Sequence, residues 1–335
     1  METSVEMTTE AVPLKQLRKD MKEAAKLLTK QEARFLVDYY YQQQEHRIAT
    51  EAQVRTLKEN GEPAAAMAVI SEQTGGIEKN IRYFLDKYSA NDPLGEWARA
   101  QVGIGPVLAA GLLAHIDITR AETAGHIWAF AGLDNRKVWL GKEKAEKIVS
   151  NVIVGGGTLE DAMFAISSSS GTRIETIRRL ASTDREGKPV KVTKATITAA
   201  GAKRPWNATL KVLCWKIGES FVKVSGNPDA FYGRIYAERK VLEQSRNAAG
   251  AFADAAAGAL AAKKYRSETK AKAAYEAGIL PDAHVHARAK RYAVKLFLAH
   301  FWETGRKLAG LPVPLPYPIA QLGHAHLIAP PDPVA

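Results

Sequence analysis

Two glycines separated by one residue and followed by proline, Gly103, Ile104, Gly105 and Pro106, have the types and spacing to hold a phosphate. They sit inside PLGEWARAQVGIGPVLAAGLLAHI, residues 93–116. Asp92 and Pro93 supply an N-cap and a first-turn proline for a helix ending near Val102. Gly103-Ile104-Gly105 makes a tight turn, and Pro106 starts a second helix whose small residues Ala109, Ala110, Gly111 and Ala114 allow close packing. Backbone N–H groups left at the start of that second helix can grip a phosphate oxygen of DNA without reading a base. The pattern is that of a helix-hairpin-helix.

A second set of residues has the chemistry of base readout. Thr158 to Asp161 and Thr172 to Glu175 both fit the capping-box pattern, with Ser167 to Gly171 as the link between two short helices. The second helix, beginning at Thr172, turns Arg173, Thr176, Arg178, Arg179 and Ser182 outward. A basic second helix is what a helix-turn-helix inserts into a major groove, although many capped helix pairs bind nothing. A third set lies in HVHARAKRYAVKLFLAHFWETGRK, residues 284–307. There Ala289, Ala293, Leu296, Phe297, His300 and Phe301 share one face, while Arg288, Arg291 and Lys295 form a basic stripe on another. That stripe reads equally as a phosphate-contact surface or a solvated face, and Lys203 with Arg204 adds a further basic pair.

Other chemistries are weaker. His284 with His286 and His324 with His326 could in principle ligate a transition metal. No carboxylate motif accompanies them, so they are expected to pack or to touch phosphate, and no metal, cofactor or catalytic residue is assigned. The single cysteine, Cys214, excludes an internal disulfide and a zinc site built on paired thiolates.

Charge location sharpens the choice. The chain carries 47 Lys and Arg against 36 Asp and Glu, a net +11. Residues 173–223 hold twelve basic side chains against four acidic, and residues 282–307 hold six against two. The remainder is nearly neutral. Concentrated positive charge is the footprint of a phosphate-backbone partner, or else a surface that keeps the protein soluble.

The elements that must position these groups read as helices. Leu14, Leu17, Met21, Ala24 and Leu28, then Phe35, Leu36, Tyr39 and Tyr40, recur at three and four residue steps across an arm running from Leu14 to Ser89. Gly61-Glu62-Pro63 breaks the arm in two and Gly75-Gly76 weakens its second half. An antiparallel hairpin and a homodimer through a coiled coil both satisfy the pattern, and its aromatic cluster is expected on the packed face. Residues 247–277 are alanine-rich and read as one or two helices, with Gly250 and Gly258 as interruptions. Seven prolines after Leu311 forbid a helix and predict an extended strap. No stretch of about 18 apolar residues exists, and the start is polar, so a cytoplasmic protein without a membrane partner is expected. The fold class is all-α: an N-terminal helical arm (1–90), a helix-hairpin-helix (91–141), an inserted helix-turn-helix-like basic unit (142–202), a helical core (203–310) and a proline-rich strap (311–335).

Three blocks carry a resemblance: VGIGPVLAAGLLAHIDI with AGHIWAFAGLD, then KRPWNATLKVLCWKIGESFVKV with FYGRIYAERK, then HARAKRYAVKLFLAHFWE. In this order they resemble the C-terminal transposase domain of the bridge-RNA-guided insertion-sequence 110/116/902 transposases, over roughly residues 14–140 and 203–308. The resemblance implies a coiled-coil arm before the helix-hairpin-helix, a structured RNA partner, a RuvC-like nuclease domain with four acidic metal ligands, and a nucleophilic serine shortly after Gly132-Leu133. This chain reads Asp134 to Gly141 at that point, without a serine, and nothing before Leu14 is expected to hold the nuclease domain. Residues 142–202 look like an insertion. The reading is therefore a double-stranded DNA-binding protein related to a transposase. The alternatives are a serine recombinase using Ser150, Ser182 or one of Ser167 to Ser170, and a helical RNA-binding or scaffold protein.

Overall fold

The computed structural model describes residues 22–262, 265, 267–315 and 327–331. Among them the protein is all-α, its only β pairing being an isolated bridge between Thr183 and Pro189. The chain divides into two compact units, Met1–Asp117 with Pro333–Ala335, and Ile118–Asp332.

The first unit contains α1 (Lys30–Glu59), α2 (Ala65–Ala90), α3 (Pro93–Ala100) and α4 (Pro106–His115). Thr29 caps α1, its hydroxyl accepting from Glu32 N at 3.2 Å. A helical turn over residues 22–26 ends before that cap, so the three-and-four periodicity that joined Ala24 to Leu28 is interrupted at 27–29. Leu14, Leu17 and Met21 lie outside the described residues. Gly61 takes φ +72, and the chain folds back so that α1 and α2 form an antiparallel hairpin. Arg47 of α1 donates to Glu78 of α2 at 2.6 Å across it. Ala33, Val37, Ile81 and Leu85 fill the seam. The aromatic cluster corrects the expectation in part: Phe35 is 63% exposed and Tyr39 is exposed, because the face carrying Ala33 and Val37 is the buried one, whereas Tyr40 is half-buried. Gly75 and Gly76 stay within α2 without breaking it.

The second unit begins with a 3-10 turn and α5 (Ala124–Phe130). A four-helix subdomain follows: α6 (Gly141–Val154), α7 (Leu159–Ser170), α8 (Ile174–Ser182) and α9 (Lys194–Ala202). Its core joins Leu140, Val149, Met163, Ile166, Ile177 and Ile197. Gly201 has no room for a side chain, since a Cβ there would lie 2.7 Å from Ile166 Cδ1. The Thr158–Asp161 capping box forms as the spacing predicts. The one predicted at Thr172 does not. The serine run continues α7 to Ser170 and is not a linker, and Gly171 ends the helix at φ +66. Ser167 Oγ then donates to Thr172 O at 2.7 Å, and Thr172 N donates to Ser170 Oγ, so Thr172 is buried in the turn and Arg173 becomes the N-cap.

The rest of the unit is α10 (Ala208–Lys223), α11 (Phe231–Ala248), α12 (Ala253–Ala262), α13 (Lys270–Glu276) and α14 (Asp282–Leu308). The last is the spine, packing on α11, α10 and α5. Phe297 on its inner face meets Phe301 on the same helix and Phe221 and Tyr232 across the core, the last two stacked at 5.2 Å between ring centroids. Gly250 ends a helix at φ +76, whereas Gly258 lies inside α12. Residues 311–315 and 327–331 are non-helical, in line with the strap. No helix among the described residues is long and apolar enough to cross a membrane.

Candidate nucleic-acid interface

In the first unit the turn between α3 and α4 forms at the expected residues. Asp92 caps α3, accepting from Leu94 N at 2.8 Å and Gly95 N at 3.1 Å, and Pro93 occupies its first turn. Gly103 takes φ +100, a conformation costly for any L side chain. Gly105 is the N-cap of α4 at φ −87, and Pro106 opens that helix. Ile104 is buried and its N–H is spent on Gln101 O at 2.9 Å, so it is an anchor of the turn and does not face a ligand. Gly105 is the exposed member of the four, with open space where a Cβ would stand. The intrahelical ladder begins only at Ala109 N to Gly105 O, which leaves the α4 terminus with the donors and dipole that attract an anion.

In the second unit, basic residues far apart in sequence converge. The loop 131–139 is clamped at both ends on the connection from α9 to α10: Asn207 N donates to Phe130 O at 2.8 Å, and Trp139 Nε1 donates to Ala202 O at 2.8 Å. Gly132 sits at φ +68 with Trp206 only 2.8 Å from where its Cβ would be, so this approach depends on glycine. α14 closes the other side, with Trp128 Nε1 donating to Lys295 O at 2.9 Å and Arg291 reaching Asn135 at 3.4 Å. Three cations each lie against an indole ring: Arg204 on Trp139 at 4.3 Å, Lys211 on Trp206 at 4.0 Å and Lys295 on Trp128 at 4.3 Å.

The electrostatics of this cluster are those of crowded like charge. Lys211 is held below its ordinary pKa by burial and by the neighbouring charges of Arg291 and Arg204. Lys295 is lowered by burial and by Arg291 and Arg136, against the pull of Asp134. Arg291 is lowered by burial and by Arg288. Asp134 itself is held below the usual carboxylate range, first by its hydrogen bond from Arg136. Cations forced together in partly desolvated positions are stabilised by an incoming polyanion. Arg291 and Lys295 of the basic stripe on α14 are thus half-buried beside one another and do not form a freely solvated face.

Of the residues expected at this interface, Arg204, Arg291 and Lys295 come together. Lys211 and Arg136 join them, and neither stands out in the sequence. Lys203 is exposed beside Arg204 at the end of α9. Arg288 is committed elsewhere: it donates to the buried Glu243 at 2.8 Å and lies over Phe252.

On α8, Arg173, Thr176 and Arg179 follow one another at three-residue steps along one side, with both arginines exposed. Arg178 points back at α7, paired with Glu160 and resting on Phe164. Between α8 and α9 a tight hairpin forms, in which Asp184 Oδ1 accepts from Glu186 N and Lys188 N and Val190 N returns to Ser182 O. It presents Arg185, Lys188 and Lys191 beside the basic helix, an element invisible to helical periodicity.

The three histidines of α14 are spoken for by tyrosines. His300 Nε2 donates to Ile328 O at 2.8 Å, so its Nδ1 accepts from Tyr232 at 2.8 Å. His286 pairs with Tyr236 and His284 with Tyr275. No cluster suited to a metal occurs among the described residues, and His324 and His326 lie outside them. Of the serines weighed as nucleophiles, Ser167 donates to Thr172 O, Ser170 is buried and Ser182 donates to Arg179 O, whereas Ser150, Ser168 and Ser169 are exposed.

Residues 99–151 match the model of the transposase IS116/IS110/IS902 family, a match that spans the turn between α3 and α4 and the loop 131–139 and supports a transposase-related role with nucleic-acid partners. No curated protein and no solved structure matches the chain.

Proposed function

We propose that this chain, which carries a transposase-family segment, binds double-stranded DNA and acts in the recombination or maintenance of mobile-element, phage or plasmid DNA. One observation carries the reading. Arg204, Lys211, Arg291 and Lys295, from two separate basic segments, converge on the loop 131–139 inside the matched segment, and burial together with neighbouring positive charge lowers the pKa of Lys211, Arg291 and Lys295 where a polyanion would relieve them. Phosphate contacts at this cluster and at Gly105 fix orientation on the duplex. Any base readout falls to Arg173, Thr176 and Arg179 on α8, the side that Arg178 has left for Glu160.

The test is a fluorescence anisotropy titration of a labelled duplex across a salt series. A log-log slope of about −0.9 per phosphate contacted is expected, so four engaged cations give roughly −4. Affinity that does not change with salt, or no duplex binding at low ionic strength, overturns the proposal. A structured RNA that binds more tightly than duplex DNA moves the function to the RNA-binding alternative.

A further inference from the structure

The cation cluster differs from an ordinary phosphate-binding face in the aromatic surface set among its charges. Trp139 is 46% exposed although its Nε1–H is already bonded to Ala202 O, so its ring plane is fixed and one side carries Arg204. One turn beyond Lys211 on the same side of α10 stands Trp215, 59% exposed. Large rings left that open at a basic site have a chemical use. Each offers a π-face to a base, and a base pair inside a duplex keeps its own faces stacked out of reach. Backbone-tracking cations interleaved with rigid aromatics are the recognition chemistry of unpaired strands.

We propose that the surface formed by Trp139, Arg204, Lys211 and Trp215 binds an unpaired stretch of DNA strand, with cations on its phosphates and the indoles under its bases. The inference deepens the nucleic-acid reading above and rests on it for the partner class. It adds a distinct ligand form: a site for a frayed, flipped or displaced strand next to duplex held elsewhere on the chain. The lowered pKa of Lys211, caused by burial and by Arg291 and Arg204, is consistent with a site that an arriving phosphate neutralises.

The experiment uses the full chain and three labelled probes of equal length: oligo-dT, an abasic oligomer with the same phosphates and no bases, and oligo-U. Oligo-dT is expected to bind about a hundredfold more tightly than the abasic strand, about tenfold for each of two stacked bases, and to quench tryptophan fluorescence. Trp215→Ala is expected to cut that difference about tenfold while leaving abasic and duplex binding unchanged, and Trp139→Ala to cut it about tenfold while also weakening the other probes, because Trp139 holds Arg204. Trp139→Ala also removes the bond to Ala202 O, so Trp215→Ala, with circular dichroism confirming the helical content of both, keeps the test decisive. Equal binding of oligo-dT and the abasic strand overturns the proposal, as does an equal loss on all probes in both variants. Tighter binding of oligo-U overturns the DNA assignment. Failure of the duplex to bind while oligo-dT still does sinks the proposed function and leaves this site standing.

Discussion

Trp128 and Lys295 hold each other twice: the indole Nε1 donates to Lys295 O at 2.9 Å, and Lys295 Nζ lies 4.3 Å from the centre of the same ring. One contact fixes the backbone of α14 against α5 and the other aims the ammonium. The pair explains how a half-buried lysine keeps a defined position beside Arg291 instead of swinging into solvent.

Lys295→Ala is therefore expected to remove one phosphate contact and nothing else from duplex binding. The salt slope of log Kd should flatten by about 0.9, the contribution of one phosphate. Trp128→Phe keeps a ring for the cation but loses the donor to Lys295 O, and is expected to cost about 1 kcal/mol of stability in urea unfolding. An unchanged salt slope in Lys295→Ala would place this lysine outside the interface.

The two neighbouring arginines of α8 should behave differently. Arg178 is paired with Glu160 and lies over Phe164, whereas Arg179 is exposed on the side shared with Arg173 and Thr176. Arg179→Ala is expected to weaken binding of a preferred duplex by about tenfold and to relax its sequence preference. Arg178→Ala should leave affinity within about twofold. Equal losses in gel-shift titrations would mean that the Glu160 pair opens on DNA.

How far the sequence carries follows from which signals are local. Asp92 with Pro93, Gly105 with Pro106, and Thr158 with Asp161 are short-range chemistry, and each starts a helix where its spacing says. Thr172 satisfies the same pattern and fails because Ser167 and Ser170, one turn earlier, bond to its backbone and bury it. Phe35 and Tyr39 obey the helical period yet face outward, since periodicity names a face without saying which face finds a partner. The interface is readable only in halves. Arg204 and Arg291 announce themselves in basic runs, but their meeting with Lys211 depends on Gly132 admitting Trp206, a tertiary approach that no local pattern encodes.

Gly103 and Gly105 separate folding from binding. At φ +100, Gly103→Ala is expected to cost about 1–2 kcal/mol through backbone strain. Gly105 has ordinary backbone angles and open space at its Cβ position, so Gly105→Ala loses at most about 1 kcal/mol as a poorer N-cap. Its methyl group should still hold a phosphate away from the α4 terminus. Thermal unfolding combined with anisotropy checks both variants, and full duplex affinity in Gly105→Ala would remove this terminus from the contact set.

His115 sets a pH dependence of known sign. It is buried at the end of α4, and neither ring nitrogen has a hydrogen-bond partner among the described residues. Burial, assisted by the positive charge of Arg34, lowers its pKa to about 4 from the ordinary 6.5. The folded chain thus refuses a proton that the unfolded chain accepts. Stability is intact above pH 6.5, falls as the pH drops from 6.5 towards 4, and levels off below, for a total of about 3 kcal/mol. His284, His286 and His300 in the second unit are lowered in the same direction, so the measurement must compare variants. His115→Leu is expected to flatten the decline in urea midpoint between pH 7 and pH 4.5, and to hold or raise stability at pH 7, because it removes two unsatisfied buried nitrogens. A variant whose midpoint falls as steeply with acid as the parent's would show that His115 takes up its proton without opening the fold.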